Sequence, residues 1–540
     1  MKKSFTTSGT SFCNVHKDSK TERNAVKLNP QFDTLGNPET IKNHIETLKQ
    51  QGNNSVLHTQ LLQQLTEQFK PLDFTELAFP EVKELRAKLQ DLDSESEQAN
   101  DVRKRIEKHK VNTKHLLILS IENIVETAQH NRWGLCKNND FIYLYNSAYW
   151  ASIDTEAFQK FLGEAAGQMG VSKFSAQFYK FREDLLKQFF ATAYLPTPQA
   201  DKNTVLINLQ NGTFEIQNGS VNLRPFNPDD FITYQLPFAY NPQAEAPLFE
   251  TYLNTVLPDV QRQKVLAEYL GYVFIKNGSN AVKEEKALIL YGTGANGKSV
   301  FFDVVGALLG KENTSNFSLQ SLTDTTGYYR AMMANKLVNY ASEINGKLDA
   351  AIFKQLTSGE PVEARHPYGR AFTIRQYARL IFNCNELPKD VEHTNAYFRR
   401  FLIIPFDVTI PPEKQDKQLQ HKIIDAELSG VFNWVLDGLN RLLGQKGFSE
   451  CNAAQEAVAQ YRINSDSVQV FINENGYVKS ATEYELIKEL YILYKAFCID
   501  DGYRPVGKQN FIKRLTDTGI YVNKINKGNV AYIVSTGNSF

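Results

Sequence analysis

Ala287-Leu-Ile-Leu-Tyr291, Gly292-Thr-Gly-Ala-Asn296-Gly297-Lys298-Ser299 and Val300-Phe-Phe-Asp-Val-Val-Gly-Ala-Leu-Leu309 follow one another without a break. The middle piece fits the Gly-x4-Gly-Lys-Ser pattern of a phosphate-binding P-loop. Its flanks matter as much as its letters. The apolar run before it predicts a buried strand, and the apolar spacing after it predicts a helix. A strand entering a glycine turn and a helix leaving it bring backbone N–H groups and a positive helix end onto one anion. In that arrangement Gly292, Gly294, Asn296 and Gly297 shape the loop. Lys298 reaches the β- and γ-phosphates, and the Ser299 hydroxyl ligates Mg²⁺. The stretch predicts an α/β domain that binds a nucleoside triphosphate such as ATP.

Three later segments place polar residues at predicted strand ends. Lys336-Leu-Val-Asn-Tyr-Ala-Ser342-Glu343 ends in an acid 45 residues beyond Lys298, where a carboxylate polarises water attacking the γ-phosphate. Arg379-Leu-Ile-Phe-Asn383 leads into Cys384-Asn385-Glu386-Leu387-Pro388. An amide at the end of a strand beside the P-loop would orient that water. Tyr397-Phe-Arg399-Arg400-Phe-Leu-Ile-Ile-Pro405-Phe406 sets two arginines before a buried strand. They suit salt-bridged surface residues, or a finger reaching a neighbouring subunit's phosphates. Between these segments, residues 362–375 predict a hairpin with a Pro367-Tyr368-Gly369 tip. Residues 362–380 hold four arginines and one acid, in a chain whose 60 Lys and Arg balance 60 Asp and Glu. Such a hairpin is a contact for a phosphate backbone, or a solvated loop.

The P-loop, Ser342-Glu343, Lys354-x-Leu-x-Ser-Gly-Glu360, Asn385-Glu-Leu-Pro388 and Phe398-Arg-Arg-x-x-x-x-Pro-Phe406 fall in that order within about 115 residues. This set resembles the superfamily III helicase core of phage and plasmid primase-helicases, a group that includes the poxvirus-type primase-helicase. The resemblance is strongest over 286–406. It reaches back to about residue 200 through Ile207–Ile216 and Pro237–Pro242. It implies an AAA+ ATPase that assembles as a ring, usually a hexamer, and moves 3′→5′ on single-stranded DNA. It makes Glu343 the water-activating acid, Asn385 the sensor, and Arg399, with Arg400 beside it, the finger. Lys354, Arg365, His366 and Arg370 become DNA contacts. Ser342 stands where some members carry a second acid, although many phage-type members share the Ser-Glu pair.

At 540 residues about three domains are expected. The division read from the sequence is 1–130, a polar arm and helical extension; 131–285, a collar of helices and a small β-meander; 286–410, the ATPase core; 411–465, a helical segment packing on it; and 466–540, a C-terminal module. In that module Tyr484 to Cys498 predicts an amphipathic helix with Leu486, Leu490, Leu493 and Phe497 on one face. A second helix from Lys508 buries Phe511, Ile512 and Leu515, and residues 521–525 and 530–534 flank a turn. Helix, helix and wing predict a winged helix. Lys508, Lys513, Arg514, Lys524 and Lys527 suit it to DNA, with a protein-binding winged helix as the alternative.

A primase domain needs paired metal-binding acids on adjacent strands. The one Asp-x-Asp, Asp91-Leu-Asp93, is expected inside a charged helix, so no primase activity is expected of this chain, and a separate primase or loader is an expected partner. No apolar run matches a membrane span, and five scattered cysteines point to a reducing cytoplasm rather than a zinc site. The expected protein is a cytoplasmic ATP-driven DNA helicase of a phage, plasmid or integrated element. Its expected partners are single-stranded DNA and origin duplex DNA. One alternative is a nucleotide-switched initiator or defence ATPase that binds DNA without unwinding it. Another is a P-loop enzyme acting on a small molecule or protein.

Overall fold

Five parallel strands build the sheet that carries the P-loop. They are β1 (Ala287–Tyr291), β2 (Thr314–Ser315), β3 (Val338–Ala341), β4 (Arg379–Cys384) and β5 (Phe401–Pro405), in the order β5-β1-β4-β3-β2. The fold is that of a computed structural model describing residues 56–138, 141–193, 202–217, 219–342, 344, 348–367, 369–389 and 391–536. Side chains alternate between two cores. Leu288, Leu290, Ile381 and Ile404 point into one, and Ala287, Ile289, Phe382 and Ile403 into the other. Burial on both faces is why these strands read as continuous apolar runs. In register, Tyr291 pairs with Cys384 of β4 on one side and Pro405 of β5 on the other.

One face is covered by α1 (Val260–Tyr272), α2 (Lys298–Leu309) and α3 (Leu419–Gln445). The fully buried Glu268 of α1 accepts hydrogen bonds from Arg441 of α3, at 2.5 Å, and from the Ser449 backbone, at 2.8 Å. A buried carboxylate so satisfied locks the two helices together. The expected meander is present as three antiparallel strands, Val205–Leu209, Gly212–Gln217 and Ser220–Arg224. Its Ile207, Leu209 and Phe214 belong to the same core as α1, α2 and α3. Residues 202–285 are therefore packed into the core of the parallel sheet rather than beside it.

The break expected at residue 130 falls inside another core. Leu61, Ile121, Trp133, Leu144, Phe158 and Phe189 share it, so helices before residue 130 and the sheet and helices after it form one unit. The polar arm lies outside the described residues. Asp91 and Asp93 sit in the turn between helices Glu81–Gln90 and Glu97–Lys108, not within a helix.

The C-terminal module has helices Ser467–Glu474, Ile487–Asp500 and Lys508–Asp517. Its three-stranded sheet places Gly528–Ala531 between Glu485–Leu486 and Val522–Ile525. The helical face expected from residue 484 is rotated. Leu486 pairs with Val530 as strand, so the helix starts at Ile487 and buries Ile487, Leu490, Tyr494 and Cys498, leaving Leu493 exposed. Among the described residues no helix is long and apolar enough to cross a membrane.

Candidate nucleotide site and its surroundings

The loop after β1 is held by backbone and side-chain hydrogen bonds. Gly292 N–H donates to the Cys384 carbonyl at 3.0 Å, tying the loop to β4. A Cβ at Gly292 would lie 2.5 Å from the Phe406 carbonyl oxygen, so only glycine fits. Asn296 Nδ2 donates to that same carbonyl at 3.1 Å. Gly297 takes φ +85°, and a Cβ there would sit 2.6 Å from Val256 Cγ1. The Tyr252 hydroxyl donates to the Gly297 carbonyl at 2.8 Å, so helix Pro247–Val256 holds the loop from behind. α2 then starts at Lys298 with no side-chain cap, which leaves its first-turn N–H groups for an outside acceptor.

Lys298 is buried. Its Nζ donates to the Gly292 carbonyl at 2.6 Å and to Asn296 Oδ1 at 3.1 Å, both neutral acceptors. Burial pulls its pKa below the ordinary lysine value. Ser299 is exposed at the helix start. A phosphate in this cradle would meet helix N–H donors, an ammonium held by neutral acceptors and a hydroxyl, a donor set that fits a Mg²⁺-bound triphosphate.

The neighbouring strand ends surround the loop. β3 ends at Ala341 with Ser342 exposed, and Glu343 lies outside the described residues. Asn385 is exposed one residue past Cys384, at the same level as the loop entrance. Asn383, buried within β4, accepts from the Tyr340 hydroxyl at 2.9 Å. A cavity of about 710 Å³ opens beside the loop, lined by Tyr291, Glu386, Pro405, Tyr461 and, from the C-terminal module, Tyr503.

The two arginines part company. Arg399 is 58% exposed at the side chain and reaches Glu285 at 3.4 Å. Arg400 is 9% exposed and pairs with Glu285 at 3.1 Å. It also donates to Ser358 Oγ at 3.0 Å and to the Lys354 and Ala396 carbonyls. Arg400 is therefore a bolt inside its own chain, a correction to its pairing with Arg399 as a finger. Lys354 is likewise engaged, with both carboxylate oxygens of Glu392 about its Nζ at 3.0 and 3.1 Å.

The basic hairpin forms from Val362–Arg365 and Ala371–Ile374, and Arg365, His366 and Arg370 are exposed. Tyr368 at its tip lies outside the described residues. Arg379, the last of the four arginines, is buried over the Tyr272 ring and donates to the Ile275 carbonyl, so it leaves the patch. The His366 ring stacks on Phe372 at 5.0 Å, and Phe372 meets Phe141 edge-on at 5.7 Å. Helix Tyr328–Met332 packs on the hairpin through Arg330, whose Nε donates to the Glu363 carbonyl at 2.8 Å. That seat leaves Tyr328, Tyr329 and Met332 exposed beside the basic arm. The sequence reading passed over them; two adjacent tyrosines after Gly327, outside any apolar period, were the available signal. In the C-terminal module Lys508, Lys513, Lys524 and Lys527 are exposed, but Arg514 is drawn to Asp466 at 3.1 Å and is not free for DNA.

Comparison with known proteins finds similarities over parts of the chain. Residues 290–400 match a family of unknown function, DUF5906, and residues 122–258 match the family described as D5 N terminal like. The chain is similar to "Putative helicase L207/L206" of Acanthamoeba polyphaga mimivirus, 26% identical over 54% of this chain and 33% of that protein. It is also similar to "Putative helicase 121R" of Invertebrate iridescent virus 3, 21% identical over 56% of this chain and 35% of that protein. The chain thus spans about a third of the length of these curated relatives. Among solved structures it aligns with the apo form of the NrS-1 C-terminal region at 14% identity and a TM-score of 0.43, over 76% of this chain and 98% of that one. The chain is a mixed α/β protein with a parallel sheet, sharing a D5-type segment with its matched family and sequence with viral proteins that carry helicase names.

Proposed function

We propose that this chain is the ATP-driven motor of a replicative DNA helicase from a phage, plasmid or integrated mobile element, of the AAA+ superfamily III type. The observation that carries the reading is the loop at 292–298, a backbone anion cradle enclosing a buried lysine with no carboxylate partner among the described residues. The strand order supports the AAA+ assignment, because it seats β4 and Asn385 between the P-loop strand and β3, which leads to Glu343. The helicase names of the viral relatives support the reaction. ATP is the substrate. Gly292, Gly294, Asn296, Gly297 and Lys298 hold its phosphates, and Ser299 holds Mg²⁺, which when bound offsets charge on the phosphate oxygens. Glu343 activates the attacking water and Asn385 positions it. β5 is five residues long, about 3.3 Å each, which sets Arg399 at the end of the sheet away from its own P-loop. Arg399 therefore serves the next protomer of a ring, a hexamer by resemblance.

Single-stranded DNA runs along the hairpin, its phosphates on Arg365, His366 and Arg370 and its bases on Tyr328 and Tyr329. Lys354 joins this surface when Glu392 releases it. The C-terminal module is a winged helix whose Lys508, Lys513, Lys524 and Lys527 meet duplex DNA. Translocation is 3′→5′ by the family resemblance, and priming or loading falls to a separate protein. The test is ATP hydrolysis with and without single-stranded DNA, alongside the mass of the protein with nucleotide and Mg²⁺. Stimulation by DNA in a ring-sized assembly is the expected result. A monomer whose turnover ignores DNA would remove the reading, and stimulation without strand displacement would leave a nucleotide-switched DNA binder.

A further inference from the structure

In the N-terminal unit, helices Lys173–Gln177 and Tyr179–Thr192 meet at a corner that holds three aromatic rings in solvent. Phe174 is 87% exposed, Phe178 53% and Tyr179 66%. Large apolar side chains scattered singly on a surface need no explanation, but three within six residues do. The corner is also rigid. Arg182 Nε donates to the Ala176 carbonyl at 2.9 Å, closing the first helix onto the second. Gly163 of the helix beneath leaves room for that guanidinium, and Ala176 and Phe181 are buried as anchors. Phe178 is at once the last cap of one helix and the first of the next, and its ring meets Tyr179 edge-on at 5.0 Å. The rings are exposed because the backbone presents them.

We propose that this corner is a second binding surface for single-stranded nucleic acid, remote from the hairpin, with bases stacking on Phe174, Phe178 and Tyr179. Charge selects this ligand over an apolar protein surface. Residues 172–180 read Ser-Lys-Phe-Ser-Ala-Gln-Phe-Tyr-Lys, with two lysines and no acid. Lys173 is exposed and pairs with no carboxylate among the described residues, and Lys180 reaches Glu183 and Asp184 only at 3.7 and 3.9 Å. Flat rings flanked by Lys173, which has no carboxylate partner among the described residues, and by Lys180 at long ion-pair distances match a polyanion with unpaired bases. The inference rests on the DNA-dependent reading only for its choice of ligand.

The experiment is photo-crosslinking of the full chain to a bromodeoxyuridine-substituted oligonucleotide, with adducts mapped by mass spectrometry. Adducts within 173–180 are expected in addition to any at the hairpin. The Phe174→Ala/Tyr179→Ala double variant should lose them and bind the oligonucleotide roughly tenfold more weakly, with its thermal midpoint unchanged because both rings are exposed. Lys173→Glu should flatten the salt dependence of binding. Adducts confined to other segments while DNA still stimulates hydrolysis would overturn this surface and leave the motor reading standing. Adducts at 173–180 in a protein whose hydrolysis ignores DNA would support the surface and remove the motor. Unchanged oligonucleotide binding by the double variant, with a loss of self-association, would assign the rings to a protein contact and overturn the inference.

Discussion

Past the C-terminal end of β1 a lysine is buried with no anion among the described residues, whereas before the N-terminal end of β5 an arginine is buried with one. Among the described residues Lys298 has a carbonyl and an amide oxygen around its ammonium, and burial lowers its pKa. Arg400 has Glu285, Ser358 and two carbonyls. A buried charge with its partners in place holds a fold together; one without them is a cost that only a ligand removes. Arg399 fits neither description. It shares Glu285 with Arg400 but stands in solvent.

The largest test of this contrast is Lys298→Ala against Arg400→Ala. Lys298→Ala should reduce ATP turnover by ~10³-fold or more while leaving the nucleotide-free thermal midpoint unchanged or slightly raised, since an uncompensated buried charge is gone. Arg400→Ala should cost about 3 kcal/mol of stability, because Glu285 and a cluster of acceptors lose their donor. Denaturant unfolding and steady-state hydrolysis on both variants would invert the contrast if Lys298→Ala unfolds the protein and Arg400→Ala does not. Arg399→Ala comes next. Stability should move by no more than about 0.5 kcal/mol, with nucleotide binding retained and turnover lost. Mixing it with Lys298→Ala should restore part of the activity, since each variant supplies what the other lacks across an interface. Turnover by Arg399→Ala alone, equal to the unsubstituted chain, would end the role in trans. A smaller effect is expected from Gly297→Ala, which forces a β-carbon into φ +85° and against Val256. About 2 kcal/mol is expected, read as a lowered midpoint with weakened nucleotide binding.

What was legible in the sequence was local. The strand, glycine turn and helix at 287–309 are written in adjacent letters, and the apolar runs at 338, 379 and 401 mark strands buried on both faces. What was not legible depends on residues far apart in the chain. Tyr252 holds Gly297 from 45 residues upstream, and nothing near either position announces it. Arg399 and Arg400 are identical letters side by side, and only Ser358 and the Lys354 carbonyl decide which one is buried. The expected boundary at residue 130 followed the end of a helical period and the β-like run after it, but Ile121 and Phe158 pack into one core across it. In the C-terminal module a single residue of strand at Leu486 turned the predicted helical face by about 100°, exchanging Leu493 for Tyr494.

The smallest expected effect concerns a group that is neutral where cations crowd. His393 lies on the connector between Asn385 and Arg399, with Nε2 2.7 Å from the Ser465 carbonyl and Nδ1 3.9 Å from Asp466. Burial, then the nearby Arg514, holds its pKa below the usual histidine value, and Asp466 and the Ser465 carbonyl only partly oppose this. An unfolded histidine titrates near 6.5, so as pH falls the unfolded chain takes up its proton first. The stability this gives is present above about pH 6.5 and is lost as pH falls through the lower native pKa. The link between the connector and the C-terminal module should therefore loosen in mild acid. His393→Gln, which keeps an amide donor for Ser465, should flatten that loss between about pH 6.5 and 5 without changing stability at pH 7.5. Part of the acid sensitivity should survive in the variant, because His58 is also held below its usual value by burial. It lies in the N-terminal unit, so its contribution should appear in that unit's transition. If the acid slope of the C-terminal transition is the same with Gln at 393, the junction is not read through His393. The connector would then be tied to the module through Lys389, whose ammonium lies 5.1 Å over the Tyr503 ring.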